Sequence, residues 1–315
     1  MKPQIAALPA SPRIAVVIPC LNEELTIGRV VADFRRVLPG AAVYVFDNNS
    51  TDRSVELARA QGALVVKEKR PGKGYVVQSM FRRVQADYLV VVDGDDTYSA
   101  EHVQQLLEPL RAEDADMVVA TRMTSFADGS FRPLHVWGNR LLMGIVNWVF
   151  RTRLRDMMSG YRALTGELAR SIAVLSEGFE VETEVTLRTL EAGFVIQEVP
   201  LPYRPRPSGS VSKLRTFKDG WRVLLSILSI ARTYRPLPFF GAIAGAFLLV
   251  ALAAGWVVVA EFIRIRYVSH VPLAVLATGC SIIASLSLSI GIILSTVGER
   301  VREVQHVILN QRLER

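Results

Sequence analysis

Two long stretches near the end of the chain carry no charged side chain, and they limit the fold more than any other feature. The first, 236–260, holds 25 residues, and the second, 267–298, holds 32. A helix of about 20 apolar residues crosses a bilayer. Buried core helices are the alternative, but both stretches exceed the ordinary length of such helices. The sequence therefore predicts two membrane-spanning helices, roughly 238–260 and 272–297.

The basic residues predict on which side of the membrane the rest of the chain lies. The chain has 37 Lys and Arg against 30 Asp and Glu, a net charge of +7. Bases gather before the first span, between 204 and 235, and after the second, between 300 and 315; Arg264 and Arg266 in the connecting loop are outnumbered. By the positive-inside tendency, we expect an integral inner-membrane protein whose globular part and both termini are cytoplasmic.

Other features of the composition argue against two kinds of site. The bases form no polybasic tail and match no zinc-finger or RNP-like pattern, so nucleic acid is not an expected partner. The two cysteines, Cys20 and Cys280, lie far apart, one in a predicted strand and one in a predicted span. Neither a disulfide nor a cysteine metal site is therefore expected.

Strand-like and helix-like segments alternate along the first 125 residues. Apolar runs such as "RIAVVIP", "AAVYVFD" and "DYLVVVD" are separated by segments with helical spacing, the first of which we expect Asn22 to cap. This alternation predicts an α/β fold with a mostly parallel, Rossmann-like sheet that helices cover on both faces. Ligands of such sheets bind at the carboxyl ends of the strands. The polar clusters "PCLNEE", "DNNSTD", "DGDD" and "TRM" each follow a predicted strand.

The same patterns divide the chain into five segments. Residues 213–236 mix apolar and basic side chains at helical spacing, which predicts an amphipathic helix at the membrane interface. An ordinary helix packed on the globular domain would show the same pattern, so both alternatives stay open. The five segments are an N-terminal tail (1–12), a globular domain (13–212), the amphipathic helix (213–236), a two-helix transmembrane hairpin (237–298) and a cytoplasmic tail (299–315).

Three carboxylates follow the apolar run 89–92, namely Asp93, Asp95 and Asp96. On an extended segment Asp93 and Asp95 lean to the same side because they are two residues apart. Two carboxylates on one side suit Mg²⁺ or Mn²⁺, which typically bridge one or two carboxylates to substrate phosphates. The alternative is a solvated acidic turn in which Asp96 caps the next helix. The position at a strand end, beside other polar strand ends, favours the metal site.

Several motifs together resemble a known family. "VVIPCLNEE", "DNNSTD", "GKG" and "DGDDTY", in this order and spacing, are similar to those of the GT-A glycosyltransferases of family 2. "RDMMSGYRA" and the two spans narrow the resemblance to the polyprenyl-phosphate glycosyltransferases, the dolichyl-phosphate mannose and glucose synthase group. The resemblance covers about 13–235 and extends to the hairpin. The segment that is commonly "DADLQ" in that group is "DGDDT" here, so Thr97 replaces a Gln that can assist the metal.

The resemblance implies a GT-A catalytic domain and an inverting transfer of one sugar. The donor would be a nucleotide-diphosphate sugar, with UDP favoured, and the acceptor a polyprenyl phosphate such as undecaprenyl phosphate. A transferase that acts on a diacylglycerol or ceramide hydroxyl is one alternative, and a non-catalytic membrane scaffold with a transferase-like domain is another. Because two spans rarely enclose a lipid site alone, a homo-oligomer is also expected as an alternative to a monomer.

The resemblance also implies a donor site at the strand ends. Asp95 would be the main metal ligand, and Asp93 would share the metal or the ribose. For Asn22 and Glu23 helix capping is an equal alternative, and Lys73 could instead be a solvated helix start, although its flanking glycines allow a close backbone approach. The implied nucleotide-sugar contacts are Pro19, Asn22, Glu23, Asp47, Lys73 and Asp93.

The implied acceptor site needs cations to hold a phosphate. Asp156 would lie near the reacting centre as a base or as a positioning residue, or would instead form a salt bridge to Arg155 or Arg162. Because a phosphate nucleophile is mostly ionised at pH 7, a strong base is not needed. The roles of Glu180, Glu182 and Glu184 stay open. The candidate cations, each of which could instead be an ordinary surface residue, are Arg122, Arg140, Arg162, Arg206 and Lys213.

Overall fold

The chain forms two compact units, Met1–Ser226 and Ile227–Arg315. The structure is a computed structural model, and it describes residues 13–122, 143–148, 150–178, 180–204, 228–229, 231–233 and 235–313, with side chains up to residue 300. The predicted N-terminal tail, most of the predicted amphipathic helix and the predicted acceptor residues Arg140, Arg206 and Lys213 lie outside this part of the chain.

Strands and helices alternate in the first unit as the sequence predicts. A short 3₁₀ helix, Ala100–His102, precedes the fourth α-helix. The elements are β1 (Ile14–Cys20), α1 (Ile27–Val37), β2 (Ala42–Asp47), α2 (Ser54–Ala60), β3 (Leu64–Lys67), α3 (Lys73–Arg83), β4 (Tyr88–Val91), α4 (Val103–Arg111), β5 (Met117–Thr121), β6 (Arg162–Thr165), α5 (Gly166–Ser171), α6 (Val181–Glu191) and β7 (Ile196–Pro200).

The seven strands form one sheet in the order β3-β2-β1-β4-β6-β5-β7. All strands are parallel except β6, which lies antiparallel between β4 and β5. The predicted Rossmann-like, mostly parallel sheet is therefore confirmed. The carboxyl ends of β1, β2, β4 and β5 lie at the same edge, and β6 begins at that edge because its first residue, Arg162, pairs with Val91 at the end of β4. Polar loops from five strands thus meet at one edge.

Helices cover both faces of the sheet, which explains why the parallel central strands β1 and β4 are almost entirely apolar. On one face α1 buries Ile27, Val30, Val31 and Phe34, a spacing that places all four on one side of the helix. On the other face, residues of α3, α5 and α6 form a second core that includes Met80. This packing fixes the strand ends on which the site is built.

Asn22 does not cap the first helix, so that prediction is wrong. The helix α1 begins at Ile27, and the residue before it, Thr26, makes no side-chain capping bond. The backbone of Asn22 has a φ of 51°, in the left-handed region that asparagine tolerates. Its side-chain oxygen accepts the backbone N–H of Thr51 at 2.8 Å, so it joins two loops instead of ending a helix.

The second unit contains two long helices, α7 (Pro236–Ile265) and α8 (Val271–Leu313). Both are long and apolar enough to cross a membrane, as the uncharged stretches predict. Small buried residues such as Ala251 and Ala284 suit close packing between helices in lipid. The helix α8 continues past residue 298, so the segment predicted as a tail begins as part of this helix.

Candidate active site

The loops that follow β1 and β2 are tied together by side-chain hydrogen bonds. In addition to the bond from Thr51, the backbone N–H of Asn22 donates to Ser50 Oγ at 3.0 Å. The N–H of Glu23 donates to Ser54 Oγ at 2.7 Å. The polar clusters "PCLNEE" and "DNNSTD" therefore form one connected wall at the sheet edge.

The buried carboxylate of Asp47 lies at the end of β2 beside this wall. Its Oδ1 accepts the N–H of Ser50 at 2.9 Å. Pro19 pairs in register with Phe46, one residue before Asp47. Pro19 and Asp47 thus lie at the ends of two neighbouring strands, and Asn22 and Glu23 lie in the loop that follows the first of them. Their predicted contact with a nucleotide stays a prediction.

The chain turns sharply after β4, and the turn is held by Asp95 and Thr97. Asp95 is only 3% exposed, and its Oδ1 accepts the hydroxyl of Thr97 at 2.6 Å and the N–H of Thr97 at 3.2 Å. Asp96 between them has a φ of 56°, in the left-handed region that aspartate tolerates. The carbonyl of Gly94 accepts the Thr26 hydroxyl at 2.7 Å, which anchors the turn to the start of α1.

Lys73 lies between two carboxylates. Its Nζ is 2.6 Å from Asp93 Oδ1 and 2.5 Å from Glu182 Oε1, and the three side chains are 14%, 26% and 10% exposed. Burial alone lowers the pKa of Lys73, but the two carboxylates outweigh it and raise the pKa above its ordinary value. Lys73 is therefore a fixed cation, and Glu182 is a site residue whose partner could not be predicted from the sequence.

The glycines on either side of Lys73 serve a packing role. The N–H of Gly74 donates to the carbonyl of Glu177 at 3.0 Å, and a Cβ at Gly72 or Gly74 would overlap the carbonyls of Glu177 and Ser176. The Glu184 carboxylate accepts the N–H of Ser176 at 2.7 Å and so holds the same loop. The backbone that lies close to these glycines is therefore a loop of the protein itself.

Arg122 and Asp156 form a two-point ion pair beside the acidic turn. Arg122 Nε donates to Asp156 Oδ2 at 2.8 Å, and its Nη2 donates to Oδ1 at 2.9 Å. Burial lowers the pKa of Arg122, but Asp156 outweighs this effect and raises the pKa. The partner of Asp156 is therefore Arg122, which follows β5, and neither Arg155 nor Arg162.

Glu198 on β7 holds the backbone of Asp156, the acidic partner in this ion pair. Its carboxylate accepts two consecutive backbone N–H groups, from Arg155 at 2.8 Å and from Asp156 at 2.9 Å. Burial raises the pKa of Glu198, and the two N–H groups oppose that shift. The sequence carries no signal for this contact, because Glu198 lies in an otherwise ordinary strand.

Arg162 is buried and donates three hydrogen bonds, two of them to a nearby segment. Its side chain donates to the carbonyls of Ser159 at 2.9 Å and Met157 at 2.7 Å, and to the Thr186 hydroxyl at 3.0 Å. Burial lowers its pKa, and the Glu182 carboxylate opposes that shift. Arg162 therefore holds the 157–159 segment, and its predicted contact with an acceptor phosphate stays a prediction.

The 156–160 segment connects the Lys73 cluster, formed by Lys73, Asp93 and Glu182, with the Arg122–Asp156 ion pair. Tyr98, just after the acidic turn, has its hydroxyl 3.0 Å from Ser159 Oγ. Gly160 lies so close to Asp93 that a Cβ there would overlap the Asp93 carboxylate. The Lys73 cluster and the Arg122–Asp156 pair thus flank one region of the sheet edge.

The donor atoms at this edge suit a hard divalent cation. Among the described residues, no group of three or more His, Cys, Asp or Glu is placed to hold a metal ion. Asp93 and Asp95 nevertheless supply carboxylate oxygens, which Mg²⁺ and Mn²⁺ prefer, and Mg²⁺ typically takes its other ligands from water and substrate phosphates. The residues present therefore fit a metal that is bound together with a phosphate-bearing substrate.

Comparisons with known sequences relate the chain to sugar-transferring enzymes. The model of a family described as "Glycosyl transferase family 2" matches residues 15–168. Glycosyltransferase AglJ of Haloferax volcanii is 32% identical over 305 residues, which cover 95% of this chain and 100% of that protein. A dolichyl-phosphate hexose transferase of the same organism is 32% identical over 217 residues, which cover 69% of this chain and 93% of that protein.

Comparisons with solved structures point the same way. Glucosyl-3-phosphoglycerate synthase from Mycobacterium tuberculosis, in complex with Mn²⁺, UDP-glucose and phosphoglyceric acid, is 26% identical with a TM-score of 0.58. The match covers 70% of this chain and 80% of that chain. The same enzyme in complex with Mn²⁺, UDP and glucosyl-3-phosphoglycerate matches with a TM-score of 0.59. The likeness confirms the predicted GT-A fold of the first unit.

Proposed function

Because the chain belongs to glycosyl transferase family 2 and is a glycosyltransferase, we propose that it transfers one sugar from a nucleotide-diphosphate sugar to a polyprenyl phosphate. UDP is the favoured nucleotide, undecaprenyl phosphate is a representative acceptor, and the reaction inverts the anomeric centre. The observation that carries the proposal is the contact between Lys73 and Asp93 just after β4, with the carboxylate of Asp95 two residues further along the same turn. That cluster combines carboxylates for a metal with a cation for a diphosphate.

The donor side of the reaction depends on charge neutralisation. A divalent cation held by Asp93 and Asp95 would act as a Lewis acid on the departing diphosphate. Lys73 would add a fixed positive charge next to the same group, and Glu182 would keep that ammonium in place. The wall formed by the loops after β1 and β2 would hold the nucleoside, with Asp47 at its base.

The acceptor side depends on orientation more than on proton removal. An acceptor phosphate is mostly ionised at pH 7, so it can attack without a strong base. Arg122 would bind this phosphate, and the two hydrogen bonds from Arg122 to Asp156 would fix the direction of the guanidinium. We therefore assign Asp156 a positioning role rather than that of a general base.

A lipid acceptor and an inner-membrane location are proposed on two grounds. The second unit has two helices that are long and apolar enough to cross a membrane. A relative that matches over 69% of this chain is named a dolichyl-phosphate hexose transferase. Basic residues flank both helices in the sequence, so we assign the catalytic unit to the cytoplasmic side.

Sugar transfer in membranes tests the proposal. The full chain would be incubated with undecaprenyl phosphate, Mn²⁺ or Mg²⁺, and radiolabelled nucleotide sugars offered one at a time. We expect metal-dependent label in the butanol extract from one donor, and a loss of roughly 100-fold or more in Asp95→Asn because the charge on the diphosphate loses its counterion. Asp33→Asn, which removes a carboxylate on the surface of α1, is the matched control and should retain activity.

Two results would contradict the proposal in different ways. Label in diacylglycerol or in phosphoglycerate, and none in undecaprenyl phosphate, would show that the acceptor is wrong. Equal transfer with and without a divalent cation, together with full activity of Asp95→Asn, would show that the metal site is wrong.

A further inference from the structure

Thr97 donates two hydrogen bonds to Asp95. It is 1% exposed, and both its hydroxyl, at 2.6 Å, and its N–H, at 3.2 Å, donate to the same oxygen of Asp95. A hydroxyl that donates to a carboxylate over so short a distance makes a strong, charge-assisted hydrogen bond. The Asp95 carboxylate is therefore held in one orientation by a residue two positions further along the chain.

Thr97 itself is fixed by a segment far away in sequence. Its carbonyl accepts the N–H of Arg204 at 2.9 Å. The next residue, Tyr98, forms an isolated antiparallel bridge with Tyr203, and the two rings lie 5.2 Å apart. The backbone that carries the Thr97 hydroxyl is thus anchored outside the turn, so its direction does not depend on the turn alone.

We infer that Thr97 is a positioning residue for the divalent cation, because its hydroxyl sets the orientation in which Asp95 binds the metal. This inference rests on the proposed function. The resemblance described above has a Gln here that can assist the metal, whereas this chain has a shorter side chain that donates to Asp95. Partners of this kind, which orient a metal ligand without touching the metal, typically change metal affinity by 10-fold to 100-fold when they are removed.

Mn²⁺ binding to the full chain in detergent tests the inference, read from the electron paramagnetic resonance of free Mn²⁺ with UDP present. Thr97→Val keeps the shape and removes the hydroxyl, and we expect its Mn²⁺ dissociation constant to rise about 10-fold, since the N–H of residue 97 still donates to Asp95. Thr97→Ser keeps the hydroxyl and should restore affinity to within about 2-fold of the wild type, a difference too small to reflect loss of an orienting partner.

Two further variants keep the result interpretable. Thr97→Ala removes the same hydroxyl and replaces Thr97→Val if the valine variant does not fold. Thr189→Val is the matched control, because Thr189 is a fully buried threonine whose hydroxyl donates within α6 to the Val185 carbonyl. It should leave Mn²⁺ affinity unchanged. UDP binding measured without metal should be the same in all variants, which a general loss of structure would not allow.

The outcomes separate this inference from the proposed function. If the wild type binds Mn²⁺ with UDP but Thr97→Val binds it equally well, the role of Thr97 is refuted and the proposed metal site stands. If the wild type binds no Mn²⁺ even with UDP, the metal site itself is refuted, and the role of Thr97 is refuted with it.

Discussion

Replacing Lys73 should destabilise the catalytic unit, because it leaves two carboxylates facing each other. Asp93 and Glu182 both contact the Lys73 ammonium, at 2.6 and 2.5 Å, and Glu182 is only 10% exposed. Removing one partner of a buried ion pair costs about 3–5 kcal/mol. Because Asp93 is 26% exposed, we expect Lys73→Met to cost about 3 kcal/mol, at the lower end of that range. For a unit of this size that corresponds to a fall in Tm of about 6–12 °C.

The same geometry predicts that Glu182→Gln changes the Tm in opposite directions in the wild type and in the Lys73→Met variant. Glu182→Gln alone removes a partner of Lys73 and should lower the Tm. In the Lys73→Met background it removes one of two repelling charges, so it should raise the Tm, with a coupling of about 1–3 kcal/mol. Thermal melting of the full chain in detergent measures all three variants. Glu191→Gln, also on α6 but away from Lys73, is the matched control.

Melting curves in which the two substitutions lower the Tm additively would refute this reasoning. Additivity would mean that Glu182 and Lys73 do not interact in the folded protein, since residues in contact normally show coupling and distant residues do not.

Two other predictions concern groups away from this cluster. Glu198→Ala removes the acceptor of the exposed Arg155 N–H and of the partly buried Asp156 N–H, and we expect a cost of about 1 kcal/mol, mainly from Asp156. It should raise the KM for the acceptor substrate more than that for the donor, and Glu198→Gln, which keeps one acceptor oxygen, should do less. Equal changes in both KM values in steady-state transfer assays would contradict this role. Burial raises the pKa of Cys20 to about 12, so its thiol stays protonated at pH 8 and maleimide should label it only after unfolding. Rapid labelling of Cys20 in the native protein, seen by peptide mass spectrometry, would show that the thiol is accessible and ionised.

The sequence was sufficient to predict the sheet but not its full strand order. Alternating segments predicted the parallel strands and the edge at which polar loops gather, because each strand and helix has its own hydrophobic period. The position of β6 could not be predicted in this way. It follows β5 in the chain but inserts between β4 and β5, and this pairing depends on contacts of Arg162 and its neighbours that no local pattern records.

The site shows the same division between local and long-range information. The sequence pattern predicted Asp93 and Asp95 at the end of a strand, where the structure has them, and the family resemblance implied Lys73 and Asp156 as further site residues. Lys73 contacts Asp93, and the roles of Lys73 and Asp156 stay predictions. The sequence did not predict which residues pair, because Lys73 meets Glu182 and Arg122 meets Asp156 only after the chain has folded. The roles of the three acids between 180 and 184 stayed open, and the structure places Glu182 and Glu184 in the first turn of α6, with Glu180 just before it.

Three carboxylates can follow one apolar strand because each is stabilised by a different neighbour. Asp93 pairs with Lys73, and Asp96 lies 3.4 Å from Arg29. Asp95, the most deeply buried of the three, accepts the N–H and the hydroxyl of Thr97. Two of these neighbours are cations, and the third supplies two neutral donors, so each carboxylate of the turn has a partner within the protein. A metal bound with a diphosphate would therefore add to a turn that is already shaped, which is the arrangement that electrostatic preorganisation requires.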